Sequence, residues 1–71
     1  MKYLVIIEKG ATGFGAYVPD LPGCVAVGET ADEVKQLIRE AIDLHLEDFR
    51  ERGQPIPPAT ASGEYVEAQV A

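Results

Sequence analysis

The middle third of this chain reads as a helix from end to end and leaves room only for short elements on either side. The segment TADEVKQLIREAIDLHLEDFRERG runs from Thr30 to Gly53. Thr30 and Glu33 have capping-box spacing, in which each side chain satisfies a free backbone N–H at the helix start. Asp32 and Glu33 also suit the positive end of the helix dipole. Val34, Leu37, Ile38, Ala41, Ile42, His45 and Phe49 recur at steps of three and four, which draws one apolar stripe, with Leu44 and Leu46 widening its edges. Arg50 and Arg52 fall in the last turn, and Gly53 fits the left-handed residue that follows a helix.

The flanking segments read as strands. Lys2–Glu8 carries Tyr3, Leu4, Val5, Ile6 and Ile7 without alternation, so both its faces should be covered. EKGATG has turn chemistry and predicts a hairpin into Phe14–Val18, where Phe14, Ala16 and Val18 share one face. Pro19 and Pro22 stop that strand, because proline cannot donate to a ladder. Asp20, Leu21, Pro22 and Gly23 make a turn, and Cys24–Val27 returns as a third strand. After the helix, GQPIPPATASG predicts a stiff extended connector with Ile56 as an anchor. Glu64–Val70 alternates, with Val66, Ala68 and Val70 on one face, and predicts a fourth strand.

The expected architecture is a single α+β domain over residues 1–71: a two-layer βββαβ unit with one long helix on a mainly antiparallel sheet. A right-handed crossover that lays strand four beside strand one gives the order 3-2-1-4. One helix covers only one sheet face. The outward apolar side of strand one then needs a second subunit, so the expectation is a homo-oligomer, dimer or tetramer. A chain of 71 residues with one cysteine has no internal disulfide to help a small core.

Charge and length exclude several classes. Six Lys+Arg against twelve Asp+Glu give a net charge of −6 with no basic cluster, which excludes direct nucleic-acid binding and suits a cationic protein partner. No apolar run approaches a membrane span, and the five-residue run after Lys2 is too short for a signal peptide, so a cytoplasmic protein without a membrane role is expected.

YVPDLPGCVAVGET, the helix after it and GQPIPP together resemble the HicB-like antitoxin family, as does the initial YLVIIEKGATGFGAYV. The resemblance covers Tyr3 to about Val70. It implies a partly degraded ribonuclease H-like βββαβ fold and a role in neutralising HicA-type toxins, small basic ribonucleases that cleave messenger RNA. Many members add a C-terminal DNA-binding segment, and this chain is expected to be a short form without one. The alternative is a stand-alone structural or regulatory homo-oligomer with no toxin partner.

An enzyme is not expected. A two-metal nuclease gathers several carboxylates around its cations. Here the interior of strand one is Leu4, Val5, Ile6 and Ile7, Glu8 stands at its end, and Asp20, Asp43 and Glu47 are dispersed. Cys24 and His45 could pair as nucleophile and base. Cys24 at a strand start and His45 on the apolar stripe read instead as packed residues. The glycines of GATGFG lie between two strands, the wrong context for a phosphate loop. No catalytic residue, cofactor or metal ligand is therefore assigned. The candidate partner-binding residues are Asp20, Leu21 and Pro22, as an exposed loop tip, and Asp43 and Glu47 on the helix.

Overall fold

The computed structural model describes residues 1–70. Three strands and one helix form: β1 (Ile6–Lys9), β2 (Phe14–Tyr17), β3 (Val25–Gly28) and α1 (Ala31–Glu51). The strands make an antiparallel sheet in the order β1-β2-β3, so β1 and β3 are both edges.

Register follows from the two turns between the strands. Ile7 stands opposite Ala16, and Ala16 opposite Ala26. That parity puts Val5, Phe14, Ala16, Val18 and Cys24 on the helix side, in agreement with the face expected for Phe14, Ala16 and Val18. Ala16, Val18, Leu21 and Cys24 are buried there with Val34 and Ile38 of α1. Ala41, Ile42, Leu46 and Phe49 continue the helical stripe as half-buried neighbours. Each fully buried aliphatic side chain contributes about 1.5–3 kcal/mol. Only Val18, Leu21, Val34 and Ile38 are of that kind, so with Ala16 and Cys24 they make a small core.

The helix ends as its sequence directs. Thr30 Oγ1 accepts from the Glu33 N–H at 3.0 Å, and its backbone is extended. The reciprocal bond is displaced by one residue: Glu33 Oε1 accepts from the Glu29 N–H at 3.1 Å, not from that of Thr30. At the other end Gly53 has φ +66°, its N–H donates to Arg50 O, and the Gln54 N–H donates to Phe49 O. This pair of bonds is a Schellman motif, which closes carbonyls the helix would leave free.

Four expectations need correction. β1 begins at Ile6 rather than Lys2, because β2 ends at Tyr17, just before the Val18–Leu21 turn that carries Pro19, and residues 2–5 have no ladder partner on either side. Leu44 does not widen the packed stripe, since it is 68 % exposed on the outer helix face. Ile56 is not the anchor of the connector. That segment is held instead by Tyr3, whose hydroxyl donates to Pro57 O, and by Asp20. Finally, no fourth strand forms among the described residues, so the order 3-2-1-4 is present only as its 3-2-1 part. Gly63 still seats against Leu4 beside β1, but Tyr65, Val66 and Val70 are fully or almost fully exposed. The alternating pattern is real. What it lacks is a ladder, and without one no strand is defined.

The sheet face away from α1 carries Tyr17, Val25 and Val27 in solvent. The single helix leaves this face uncovered, as a one-helix chain must.

Candidate functional site

The PDLPG stretch is two consecutive β-turns. Leu21 N–H donates to Val18 O, Cys24 N–H donates to Leu21 O, and Val18 N–H closes the bend by donating to Cys24 O. Pro19 and Pro22 each occupy the second position of a turn, where a φ near −65° is already set. Gly23 takes the third position of the second turn with φ +85°, a value that favours glycine. Leu21 is the shared corner of the two turns and points inward, with 0 % of its surface exposed. The expected exposed tip therefore contains a core residue. Pro22 alone of the three is exposed, and Asp20 is half-buried.

Asp20 is occupied. Its carboxylate accepts from Thr60 N–H at 3.0 Å, Thr60 Oγ1–H at 3.0 Å and Ala61 N–H at 2.9 Å. The Ala61 N–H is the chief cause holding the Asp20 pKa below the usual carboxylate range, with the Thr60 hydroxyl and N–H adding to it against a desolvation effect. Burial raises the Tyr3 pKa, and the charge of Asp20 adds to that. Tyr3 and Asp20 thus fasten the connector at two points, Pro57 and Thr60–Ala61. No spacing or motif signals this clasp, since it joins residues 40 and more apart in sequence.

The helix supplies the second candidate surface. Seven of the twelve acids lie between Asp32 and Glu51. Asp43 and Glu47 are exposed, as are Glu40 and Leu44. Asp48 is already paired with Arg52 at 2.6 Å, and the Arg52 guanidinium lies 5.9 Å from the Phe49 ring centre. Gln36 donates to Glu40 at 3.0 Å. The outer face of α1 is thus an acidic surface with Leu44 as an apolar centre. No hydrogen bond or ion pair among the described residues joins Asp20 or Pro22 to Asp43 or Glu47. They belong to separate elements, and the turn approaches α1 at His45, whose Nε2 lies 4.0 Å from where a Cβ on Gly23 would stand.

The remaining reactive groups are embedded in packing. Cys24 is buried and free, and desolvation raises its pKa, which keeps it a thiol and a weak nucleophile. His45 is half-buried and tilted against Phe49, ring centres 6.4 Å apart. Among the described residues no group of three or more His, Cys, Asp or Glu side chains is placed to hold a metal. No helix of the described residues is long and apolar enough to cross a membrane.

Residues 3–70 match the family described as HicB_like antitoxin of bacterial toxin-antitoxin system. A UPF0150 protein of Archaeoglobus fulgidus is 34 % identical over 71 residues, spanning 99 % of this chain and 91 % of its own. An uncharacterized 14.9 kDa protein of Haemophilus phage HP1 is 35 % identical over 93 % of this chain, which spans half of the phage protein's length. Antitoxin HicB 2 of Photorhabdus laumondii is 32 % identical over 90 % of this chain and 46 % of its own length. Among solved structures, a chain of the HicA3 and HicB3 toxin-antitoxin complex superposes with a TM-score of 0.69 at 33 % identity, covering 83 % of this chain and 70 % of that one.

Proposed function

The chain belongs to the HicB-like antitoxin family of bacterial toxin-antitoxin systems, and on that premise we propose that it binds and neutralises a small basic HicA-type ribonuclease in the cytoplasm. The observation that carries this reading is the likeness, at 33 % identity, to a chain from a toxin-antitoxin complex. The exposed acidic face of α1 supports it physically. Complementary charge accelerates encounter with a cationic protein and disfavours direct contact with nucleic acid. Asp43 and Glu47 are proposed as toxin-facing residues, with Leu44 between them and Pro22 as a peripheral contact. Asp20 and Leu21 act on this surface only indirectly, by fixing the turn. The mode is stoichiometric inhibition rather than catalysis.

The same reading includes self-association within a single-domain protomer. Tyr17, Val25 and Val27 form an uncovered apolar sheet face, and the six-residue core is small for a stand-alone domain. A fourth strand beside β1 would complete the ribonuclease H-like order 3-2-1-4 in the assembled protein.

The test is co-expression with the small basic protein encoded beside this chain. Neutralisation predicts that the two co-purify and that growth arrest by the basic protein is relieved. Arrest that persists at equal expression, with no complex recovered, overturns the antitoxin reading.

A further inference from the structure

The two edges of the sheet differ. Beside β1, Gly63, Glu64 and Tyr65 of the same chain stand against Leu4, Val5, Ile6 and Ile7. β3 pairs with β2 alone. In that pair Ala16 faces Ala26, Phe14 faces Gly28, and the Val18 N–H donates to Cys24 O. Bonded and non-bonded positions alternate along an antiparallel ladder. Ala26 and Gly28 therefore turn their backbone groups to β2, while Val25 and Val27 turn N–H and C=O outward. Among the described residues no turn, loop or side-chain hydrogen bond engages either valine. Open groups of this kind on an edge strand are a template for another strand.

Apolar side chains border both sides of that edge. On the sheet face away from α1, Val25 is 64 % and Val27 78 % exposed. On the helix side Ala26 is only half-buried, so α1 leaves part of β3 uncovered. Lys35 and Arg39 line the flank of α1 beside β1. Leu37 lies about 200° round the helix from Lys35 at 3.6 residues per turn, which puts it on the flank over β3, and it is exposed. Glu33 and Glu40, four residues before it and three after, are its neighbours on the helix surface. Glu29 follows the end of β3, and all three acids are exposed.

We propose that the free edge of β3 takes an extended segment of a cationic protein, paired strand to strand. Its apolar side chains lie against Val25, Val27 and Leu37, and its Lys or Arg side chains reach Glu29, Glu33 and Glu40. Charge decides the occupant. The chain has a net charge of −6, and a second copy in this place would bring its own acids to the same edge. Like charges brought together disfavour that partner, and a basic segment is attracted. The surface is continuous with the acidic helix face described above, because Leu37 and Leu44 are seven residues, about two turns, apart. The proposal rests on the neutralisation reading and names the mode of contact: main-chain pairing supplies affinity, and the flanking side chains supply specificity.

The experiment follows amide exchange by NMR in the full chain, free and in complex with the small basic protein encoded beside it. The Val25 and Val27 amides should exchange as open groups in the free chain and about tenfold slower or more in the complex, with Ala26 and Gly28 protected in both. Val27→Pro removes an outward N–H and leaves the β2–β3 ladder intact, so the helical circular dichroism should persist while the complex weakens about tenfold or more. Val27→Thr keeps the N–H and a β-branched side chain and should bind like the wild type. The exchange pattern of the wild type decides the matter even where Val27→Pro loses its fold. A complex in which the Val25 and Val27 amides stay open, or a folded Val27→Pro that binds like the wild type, overturns strand pairing and leaves neutralisation through another surface standing. Protection of both amides in the free chain, together with a dimeric mass, makes a second copy the occupant and overturns the cationic segment. Failure to form any complex, with growth arrest unrelieved, overturns both readings.

Discussion

Asp20 and Thr60 are joined by two hydrogen bonds across 40 residues of chain, the carboxylate accepting from both the backbone N–H and the hydroxyl of Thr60. A third, from Ala61 N–H, closes the clasp. The bonds favour the charged carboxylate, so the folded pKa is lowered. A lowered pKa contributes stability that is present above the unfolded aspartate value, about 3.9, and is lost as pH falls through the folded value. Thermal stability of the wild type should therefore be insensitive to Asp20 between pH 5 and 8, by that linkage, and fall in acid below about pH 4. In Asp20→Asn the acid-dependent part should shrink, and the Thr60 and Ala61 amides should exchange faster at neutral pH. Unchanged exchange at both amides would show that the clasp does not hold the connector.

Leu21 separates a packed turn from an exposed recognition tip. Leu21→Ala should cost about 2–5 kcal/mol, the range for a truncated core leucine. Pro22→Ala, one residue away in solvent, should cost under about 1 kcal/mol, since only the preset turn angle is lost. Urea midpoints of the two variants provide the comparison, and equal shifts would contradict the burial.

Thr30→Ala should lower stability by about 1 kcal/mol, the usual cost of losing an N-cap oxygen. Only one acceptor of the cap is removed, because Glu33 accepts from Glu29 rather than Thr30. Chemical denaturation of Thr30→Ala and Glu33→Ala should therefore give separate losses. A midpoint for Thr30→Ala within error of wild type would place the helix start elsewhere.

Gly53→Ala should destabilise by about 1–2 kcal/mol, because an L residue with a Cβ is strained at φ +66°. Open space surrounds that position, so the loss would be conformational and not a clash. Gly53→Asn should recover part of it, as asparagine tolerates this region better. A neutral alanine variant would mean that the Schellman motif frays in solution.

If the acidic helix face meets a basic toxin, association should slow as salt rises, with a screening length near 10 Å at about 0.1 M. Asp43→Lys/Glu47→Lys should slow it roughly tenfold while dissociation changes less. Stopped-flow kinetics at two salt concentrations reads both rates. An association rate unchanged by the double reversal would move the interface off this face.

The helix was the most legible element, because its start, stripe and stop are each written in local chemistry: Thr30, the Val34–Phe49 spacing and Gly53. The hairpin faces were legible for the same reason, through the two-residue alternation of Phe14, Ala16 and Val18. Leu21 is not legible as a core residue, because a turn rich in proline and glycine looks exposed and nothing local reveals that two fused turns aim their shared corner inward. Asp20 reads as a surface contact from sequence because its partners, Thr60 and Ala61, are remote along the chain. Leu44 joins the stripe by an apolar count alone, yet it lies exposed on the helix side turned from the sheet. The alternation of Val66, Ala68 and Val70 predicts a strand, and none forms among the described residues. Pattern states what a segment can pair as, and the presence of a partner is a property of the assembly.

The double turn has a practical meaning for anyone modifying this protein. A glycine- and proline-rich loop is the usual first choice for an epitope, a linker or a circular-permutation break. Here that choice would open a bend whose corner is a buried leucine and whose neighbouring aspartate fastens the connector. The Gly10–Gly13 hairpin is the safer port. Its Ala11 and Thr12 face solvent, and a single Gly10 N–H to Gly13 O bond spans its tip.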